Sequence, residues 1–345
     1  MTALDALAAE LARAPGLAAK ADIAAVTRRL GLTGAGGAAV PVGDDCAAIP
    51  DGDGHLLFAI EGFMNRFVAA DPWFAGWCGV MVNLSDIAAM GGRPIAVVDA
   101  LWSPGDGTAA EILDGLRAAA RCYGVPVVGG HSNLATPQPQ LAVAVLGRAE
   151  RLLTSADARP GDRLVMAVDL RGAWRPPFDN WQSAVGAPAD RLRGDLALLP
   201  AIAEAGLARA AKDISQAGVV GTAAMLAECS GVGITIDVTA IPAPPDTDPA
   251  RWLKAFPSFG YLLAVAPDHE AAVIRRFTDR DIAAATIGHI HAGSVVAITD
   301  GRSTAVVCDP GTFPLLGCAP HGMPAVTRPV PTPPPVPTPI GEAVP

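Results

Sequence analysis

The chain has 345 residues, is 51% hydrophobic and carries a formal net charge of −9. That length supports two domains with a sizeable core, and the acidic balance argues against a nucleic-acid partner, because phosphate binding requires a basic face. Six cysteines, at positions 46, 78, 122, 229, 308 and 318, form no CxxC pair and have no histidine cluster beside them; they argue against a zinc site or a disulfide framework and suit a reducing compartment.

The N-terminal stretch MTALDALAAELARAPGLAAK carries Asp5 and Glu10 and lacks the basic start of a signal peptide. No apolar run reaches membrane-spanning length without polar interruption. The expectation is a cytoplasmic protein with neither a membrane nor a nucleic-acid partner.

Leu4, Leu7 and Leu11, then Ile23, Val26 and Leu30, follow helical spacing, with Pro15-Gly16 dividing two short helices. A glycine-rich loop, GLTGAGGAAVPVGDD (31–45), follows. CAAI (46–49) and HLLFAIEGF (55–63) read as strands around the turn DGDG (51–54). Pro72 opens a helix whose broad apolar face runs to Gly91-Gly92. PIAVVDALW (94–102) reads as a buried strand, 108–123 as an amphipathic helix, VPVVGGH (125–131) as a strand meeting a glycine turn, and QLAVAVLGRAE (140–150) as a further strand.

A Pro-Gly-Asp turn and a strand within 156–169 start a second unit. AWRPPFDNWQS (173–183) reads as an aromatic, proline-containing loop. Helices are expected at 195–210, 217–229 and 268–278, and strands near 234–238, at 261–266 and within 284–307. The resulting division is 1–39 for the N-terminal helices and glycine-rich loop, 40–152 and 153–310 for two α/β domains, and 311–345 for a proline-rich tail.

Carboxylates recur beside strand ends and glycine turns: Asp44-Asp45 in VGDDCAAI, Glu61 in FAIEGF, Asp86 in NLSDIAAMGG and Asp213 in KDISQAGVVG. Asn83 and Asp86 lie three apart in an otherwise apolar helix, and a buried acid needs a cation or a donor. Acids converging on one cleft can hold magnesium ions that bridge a triphosphate. Taken singly, each has a plainer reading: a surface turn for Asp44-Asp45, a cap or a pair with Arg93 for Asp86, a sheet-edge charge for Glu61, and a helix N-cap for Asp213.

Read together, VGDDCAAI, FAIEGF, NLSDIAAMGGRP, VVGGHSN and KDISQAGVVGTAAMLAECSGVGITID resemble the aminoimidazole ribonucleotide (AIR) synthase superfamily, in co-linear order over roughly residues 40–300. That group includes AIR synthase, formylglycinamidine ribonucleotide synthase, selenophosphate synthetase, thiamine-monophosphate kinase and a hydrogenase-maturation dehydratase. The resemblance implies a mixed α/β (α+β) protein of two domains. It implies that the N-terminal domain forms a shared barrel in a homodimer and that ATP and magnesium bind between the domains. The family's metal-binding acids fall on Asp44 or Asp45, on Asp86 and on Asp213, with Glu61 standing where many members carry Asp. Asn83, Asp86, Gly129, Gly130 and Asp213 fall near the expected nucleotide.

GGHSN (129–133) and PSFGYLLAVAP (257–267) are most similar to selenophosphate synthetase. That enzyme's reactive Cys or selenocysteine and its Lys have no counterpart in GLTGAGGAAVPVG, and neither Gly nor Ala supplies a thiolate. Cys46 lies inside an expected strand and reads as buried. Thiamine-monophosphate kinases carry an acid where His131 stands. The chain therefore resembles an AIR-synthase-related protein of a separate subfamily.

His131 and Lys212 are candidate catalytic residues. His131 could orient a substrate or be a hydrogen-bonded structural histidine, and Lys212 could meet phosphate or form a salt bridge. Ser132, Asn133, Arg175, Asp179 and Asn180 are candidates for substrate specificity, with Arg175 suited to a carboxylate or phosphate; an inter-domain packing loop is the alternative for 173–183. His289 and His291 read as solvent-facing. The leading function is ATP- and magnesium-dependent phosphoryl transfer to, or activation of, an oxygen of a small-molecule substrate. A non-catalytic nucleotide-binding subunit and a selenophosphate-synthetase-like enzyme are the alternatives.

Overall fold

Two helices open the chain. In α1 (Ala3–Ala12), Thr2 and Asp5 cap each other reciprocally, and α2 (Pro15–Arg29) starts at a proline that needs no N–H partner there. The computed structural model describes residues 2–32 and 42–318; most of the expected glycine-rich loop, at 33–41, and the tail from 319 onward lie outside the described residues.

The first unit follows as β1 (Ala47–Asp51), β2 (Gly54–Gly62), α3 (Asn65–Ala70), α4 (Pro72–Ala89), β3 (Arg93–Trp102), α5 (Asp106–Tyr123), β4 (Val127–Asn133) and β5 (Gln140–Ala149). Its five strands lie in the order β1-β2-β5-β3-β4, with only β3 and β4 parallel. Helix α4 is capped by Asp71, whose carboxylate accepts from Phe74 N at 3.2 Å. It is buried from Phe74 to Ala89, because the sheet, α5 and the second unit enclose it. The crossing with α5 requires glycine: a Cβ on Gly76 would sit 1.9 Å from Ile112 O, and one on Gly115 would sit 1.8 Å from Trp73 O.

Period-two alternation sorts this sheet into two faces. Leu57, Val97, Leu101, Val143 and Val145 are buried in the core built around α4 and α5. Phe58, Ile60, Val98 and Leu146 are 50%, 65%, 39% and 37% exposed on the opposite face. The register aligns them, with Phe58 opposite Leu146 and Ile60 opposite Ala144, which is itself opposite Val98.

The second unit comprises β6 (Arg163–Val168), β7 (Ala173–Arg175), β8 (Asn180–Gln182), α6 (Ala189–Leu196), α7 (Leu198–Glu204), β9 (Ala210–Asp213), α8 (Gly218–Ser230) and β10 (Gly233–Asp237). It continues as α9 (Pro249–Trp252), β11 (Phe256–Pro257), β12 (Gly260–Val265), α10 (Glu270–Thr278), β13 (Ala283–His291), β14 (Val296–Thr299) and β15 (Thr304–Cys308). Seven strands run β15-β14-β10-β13-β6-β12-β9, while β11, β8 and β7 make a separate small sheet. Both faces of the large sheet are covered. Leu164, Met166 and Val168 enter one core with residues of α1, α2 and α8, and Val165 and Ala167 enter the other with residues of α7 and α10. That is why β6 reads as an unbroken apolar run.

Three expectations change. The segment 173–183 is a small β-hairpin, with Trp174 opposite Trp181, rather than a loop. The helix expected at 195–210 is two helices followed by a strand: Pro200 cannot donate back to Leu196, so the helix breaks between them, and Gly206 at φ +65° ends the second. Gly129 and Gly130 lie inside β4 rather than in a turn after it.

Candidate functional site: an acidic cleft between the two units

Four segments meet at this cleft. The turn before β1 carries Asp44 and Asp45, β2 ends near Glu61, α4 carries Asn83 and Asp86, and β9 ends on Lys212 and Asp213. Asp44, Asp45, Glu61, Asp86, Lys212 and Asp213 line one cavity of about 340 Å³. Glu61 reaches it because it shares the α4-facing side of β2 with Leu57. Asp86 sits mid-helix and is no cap, and Arg93 pairs with Glu204 instead. Asp213 does not cap α8, whose N-cap is Ala217.

The two adjacent aspartates divide the work. Asp44 is held by hydrogen bonds: its carboxylate accepts from Ser155 N at 2.7 Å, from the Ser155 hydroxyl, and from Asp45 N at 2.9 Å. Asp45 accepts from the Lys212 ammonium and faces the cluster. Asp45, Asp86 and Asp213 each bring a carboxylate oxygen within 4.8 Å of the others. Asp86 Oδ2 and Asn83 Oδ1 are buried with no hydrogen-bond partner among the described residues, while Asn83 Nδ2 donates to Gly79 O at 2.8 Å.

The electrostatics show unmet negative charge. Burial pushes the Asp86 carboxyl well above the usual range, and Asp213, Glu61 and Asp45 push it further. Burial, with Asp45 adding, raises Asp213 to about 8. Burial raises Asp44 to about 6 against the pull of Lys212, and Glu61 is raised by burial as Lys20 opposes it. Burial works against the Lys212 ammonium, yet Asp45 and Asp44 hold it above the ordinary lysine value. One buried lysine does not balance these acids, and carboxylates crowded this closely are stabilised by a hard cation with oxygen ligands. The orphan Oδ2 of Asp86 fits such an ion, whereas Asn83 is buried beside the cavity without lining it.

The other candidates lie elsewhere. Gly129, Gly130, His131, Ser132 and Asn133 form the exposed edge strand β4 and do not line the acidic cavity. His131 is paired in register with Ala100, whose neighbour Val98 is on the open face, so sheet parity turns it away from α4. Arg175 donates to Asp71 Oδ2 at 2.7 Å and its guanidinium lies 4.1 Å from the Phe74 ring centre, which ties the hairpin to the start of α4. Asp179 pairs with Arg251 at 2.8 Å. Asn180 lines a second cavity that adjoins the first. His289 is exposed, and His291 Nε2 meets Thr235 Oγ1 at 3.1 Å.

Sequence reasoning missed Lys20, Ser155 and Ser215. Lys20 lines the acidic cavity from α2, and nothing in that helix marks it. The Ser215 hydroxyl is buried without a partner in the same cavity; its signal was its place in KDISQAG, two residues after Asp213.

The family model for the AIR synthase related protein N-terminal domain matches residues 43–149, and the corresponding C-terminal domain model matches residues 184–301. The chain belongs to the AIR synthase related family. Its relatives include an uncharacterized protein of Synechocystis, 45% identical over 81% of this chain and 88% of that one. They also include the phosphoribosylformylglycinamidine synthase subunit PurL of Methanosarcina mazei, 30% identical over 72% of this chain and 38% of that protein. Among solved structures, this AIR synthase related chain is similar in fold to Thermotoga maritima PurL complexed with ATP, with a TM-score of 0.67 at 19% identity over 83% of this chain and 48% of that one. The superfamily includes ATP-dependent kinases and synthetases. Both matched domains contribute to the acidic cavity, Asp45 and Asp86 from the first and Asp213 from the second. No helix of the described residues is long and apolar enough to cross a membrane.

Proposed function

We propose that this protein binds ATP with magnesium in the acidic cleft and transfers the terminal phosphoryl group to, or otherwise activates, an oxygen of a small-molecule substrate. The observation that carries the reading is the convergence of Asp45, Asp86 and Asp213, with Asp86 Oδ2 left unpartnered in a buried setting. Asp45, Asp86 and Asp213 are the residues to hold the metal, with Glu61 and Asn83 beside them. Magnesium bound there supplies neutralisation of phosphate charge.

The chain's own groups do the rest. Lys212 fixes the Asp45 carboxylate, and Ser155 fixes Asp44, so the turn presents one acid rather than two. The Ser215 hydroxyl is a donor available to a phosphate oxygen, and Lys20 adds positive charge at the cavity wall. Catalysis of this kind works by positioning and charge stabilisation.

A homodimer belongs to the same reading. The row of Phe58, Ile60, Val98 and Leu146 is a large apolar face of the kind that monomers rarely leave uncovered. His131, Ser132 and Asn133 lie on the edge strand of the same sheet.

The test is ³¹P NMR of ATP incubated with the protein, magnesium and a panel of small-molecule alcohols, acids and amides, alongside Asp86→Asn. Magnesium-dependent ATP consumption that the variant loses supports the reading. ATP that is bound but never consumed points to the non-catalytic nucleotide-binding subunit.

A further inference from the structure

The acidic cavity opens into a larger apolar compartment of about 620 Å³, within the range of small-molecule sites. Phe63, Met64, Gln216 and Phe256 line both, so the two are halves of one cleft. Phe67, Phe74, Phe178, Phe256 and Met81 form much of the apolar wall. Phe178 meets Phe67 edge-to-face at 5.2 Å and 84°, and Phe74 meets Phe67 at 6.0 Å and 80°. Edge-to-face walls of this type suit a flat ring.

The charges around the compartment are mostly spent. Lys254 pairs with Glu10 at 2.6 Å and Asp179 with Arg251 at 2.8 Å. Arg66, exposed on α3, has no carboxylate partner among the described residues. Its guanidinium stands 5.9 Å from the Phe178 ring centre, and it lines the apolar compartment but not the acidic one. A nucleotide places its anionic groups at the acidic end, and its base is neutral, so a nucleotide leaves Arg66 unexplained. A guanidinium beside aromatic rings matches a ligand that carries a ring and its own carboxylate or phosphate.

We propose that the apolar compartment binds the acceptor substrate, and that this acceptor is an aromatic or heteroaromatic small molecule whose anionic group is met by Arg66. The acceptor role rests on the reading of the acidic cleft as a nucleotide site; the ring-and-anion chemistry rests on the compartment itself.

The test uses 2-naphthyl phosphate as the probe, titrated without magnesium and followed by saturation-transfer NMR and calorimetry, with 2-naphthol and hexyl phosphate as controls. Naphthyl phosphate is expected to bind more tightly than either control. Arg66→Glu weakens naphthyl phosphate about tenfold or more, the scale of a charge-assisted hydrogen bond, and leaves 2-naphthol unchanged. Phe178→Ala weakens both naphthyl ligands. Adding magnesium with a non-hydrolysable ATP analogue leaves the probe bound. The inference is overturned if the probe does not bind, if Arg66→Glu binds it equally, or if the ATP analogue displaces it, in which case the compartment belongs to the nucleotide base. If naphthyl phosphate binds through Arg66 while the ATP analogue binds nowhere, the nucleotide reading fails and the aryl-anion site stands.

Discussion

Lys212, on the edge strand β9 of the second unit's sheet, donates its ammonium to Asp45, in the turn that begins the first unit's sheet, and both side chains are under a tenth exposed. This buried pair ties the two units together at the acidic cavity. Breaking such a pair leaves an uncompensated buried charge. Lys212→Met is expected to lower the unfolding free energy by about 3 kcal/mol or more, measured by urea denaturation without metal. Magnesium should restore part of the loss, since it replaces the missing positive charge. Unchanged stability would show that the Lys212–Asp45 contact does not hold the units together.

The acids give the metal-free protein a defined pH dependence. Folding raises Asp86, Asp213 to about 8 and Asp44 to about 6 from the usual aspartate value of 3.8, and raises Glu61 from the usual glutamate value of 4.5. The native state therefore holds more protons than the unfolded chain between about pH 4 and 8, so stability falls as pH rises through that window. Lys212 stays charged throughout it and does not reverse the sign. Thermal midpoints without metal should be lower at pH 8 than at pH 6. Magnesium should raise the midpoint more at pH 8, where fewer protons must leave. A flat or rising metal-free profile would contradict this.

Glu228 on α8 is buried, and its carboxylate accepts from four successive backbone amides: Leu315 at 2.6 Å, Leu316 at 3.0 Å, Gly317 at 2.7 Å and Cys318 at 3.2 Å. Leu316 in turn lines the acidic cavity. Glu228→Gln turns one acceptor into a donor that faces N–H groups. A loss of about 2 kcal/mol or more is expected, from charge-assisted hydrogen bonds lost in a buried site. Limited proteolysis should cut near 315–318 faster in the variant. Equal cutting rates and stability would mean that this carboxylate does not fix the segment.

The open sheet face makes a prediction about mass. Ile60→Asp places a charge in the middle of the apolar row, on a side chain that is largely exposed in one chain, so the fold should survive. Light scattering is expected to show a dimer for the unmodified protein and a monomer for the variant. A monomer in both cases would rule out this face as the dimer interface.

The sequence made the acid set readable because Asp86 interrupts an apolar helix where a buried charge needs a reason. It also showed the main strands and helices of the first unit in chain order, since their alternation is strong, but not the order of the strands in the sheet. It could not separate Asp44 from Asp45, because the difference is set by Ser155, which is 111 residues away. Nor could it place His131, since which face of β4 is covered depends on where α4 and α5 pack. Lys212 carried two readings, phosphate contact or salt bridge, and its partner Asp45 is 167 residues distant. The apolar compartment was invisible for the same reason: Phe67, Phe178 and Phe256 come together only once α3, the 173–183 hairpin and β11 are assembled.

The most direct measurement is a calorimetric titration of the protein with ATP, with and without magnesium, beside Asp86→Asn. The substitution keeps the side chain's shape and replaces a buried carboxyl whose Oδ2 has no partner and whose ionisation burial opposes, so the variant should fold at least as well. Magnesium-dependent nucleotide binding is expected for the unmodified protein, and the variant should lose it while its thermal unfolding stays cooperative. Equal binding by a folded Asp86→Asn variant, or no nucleotide binding by the unmodified protein under any divalent metal, would contradict it.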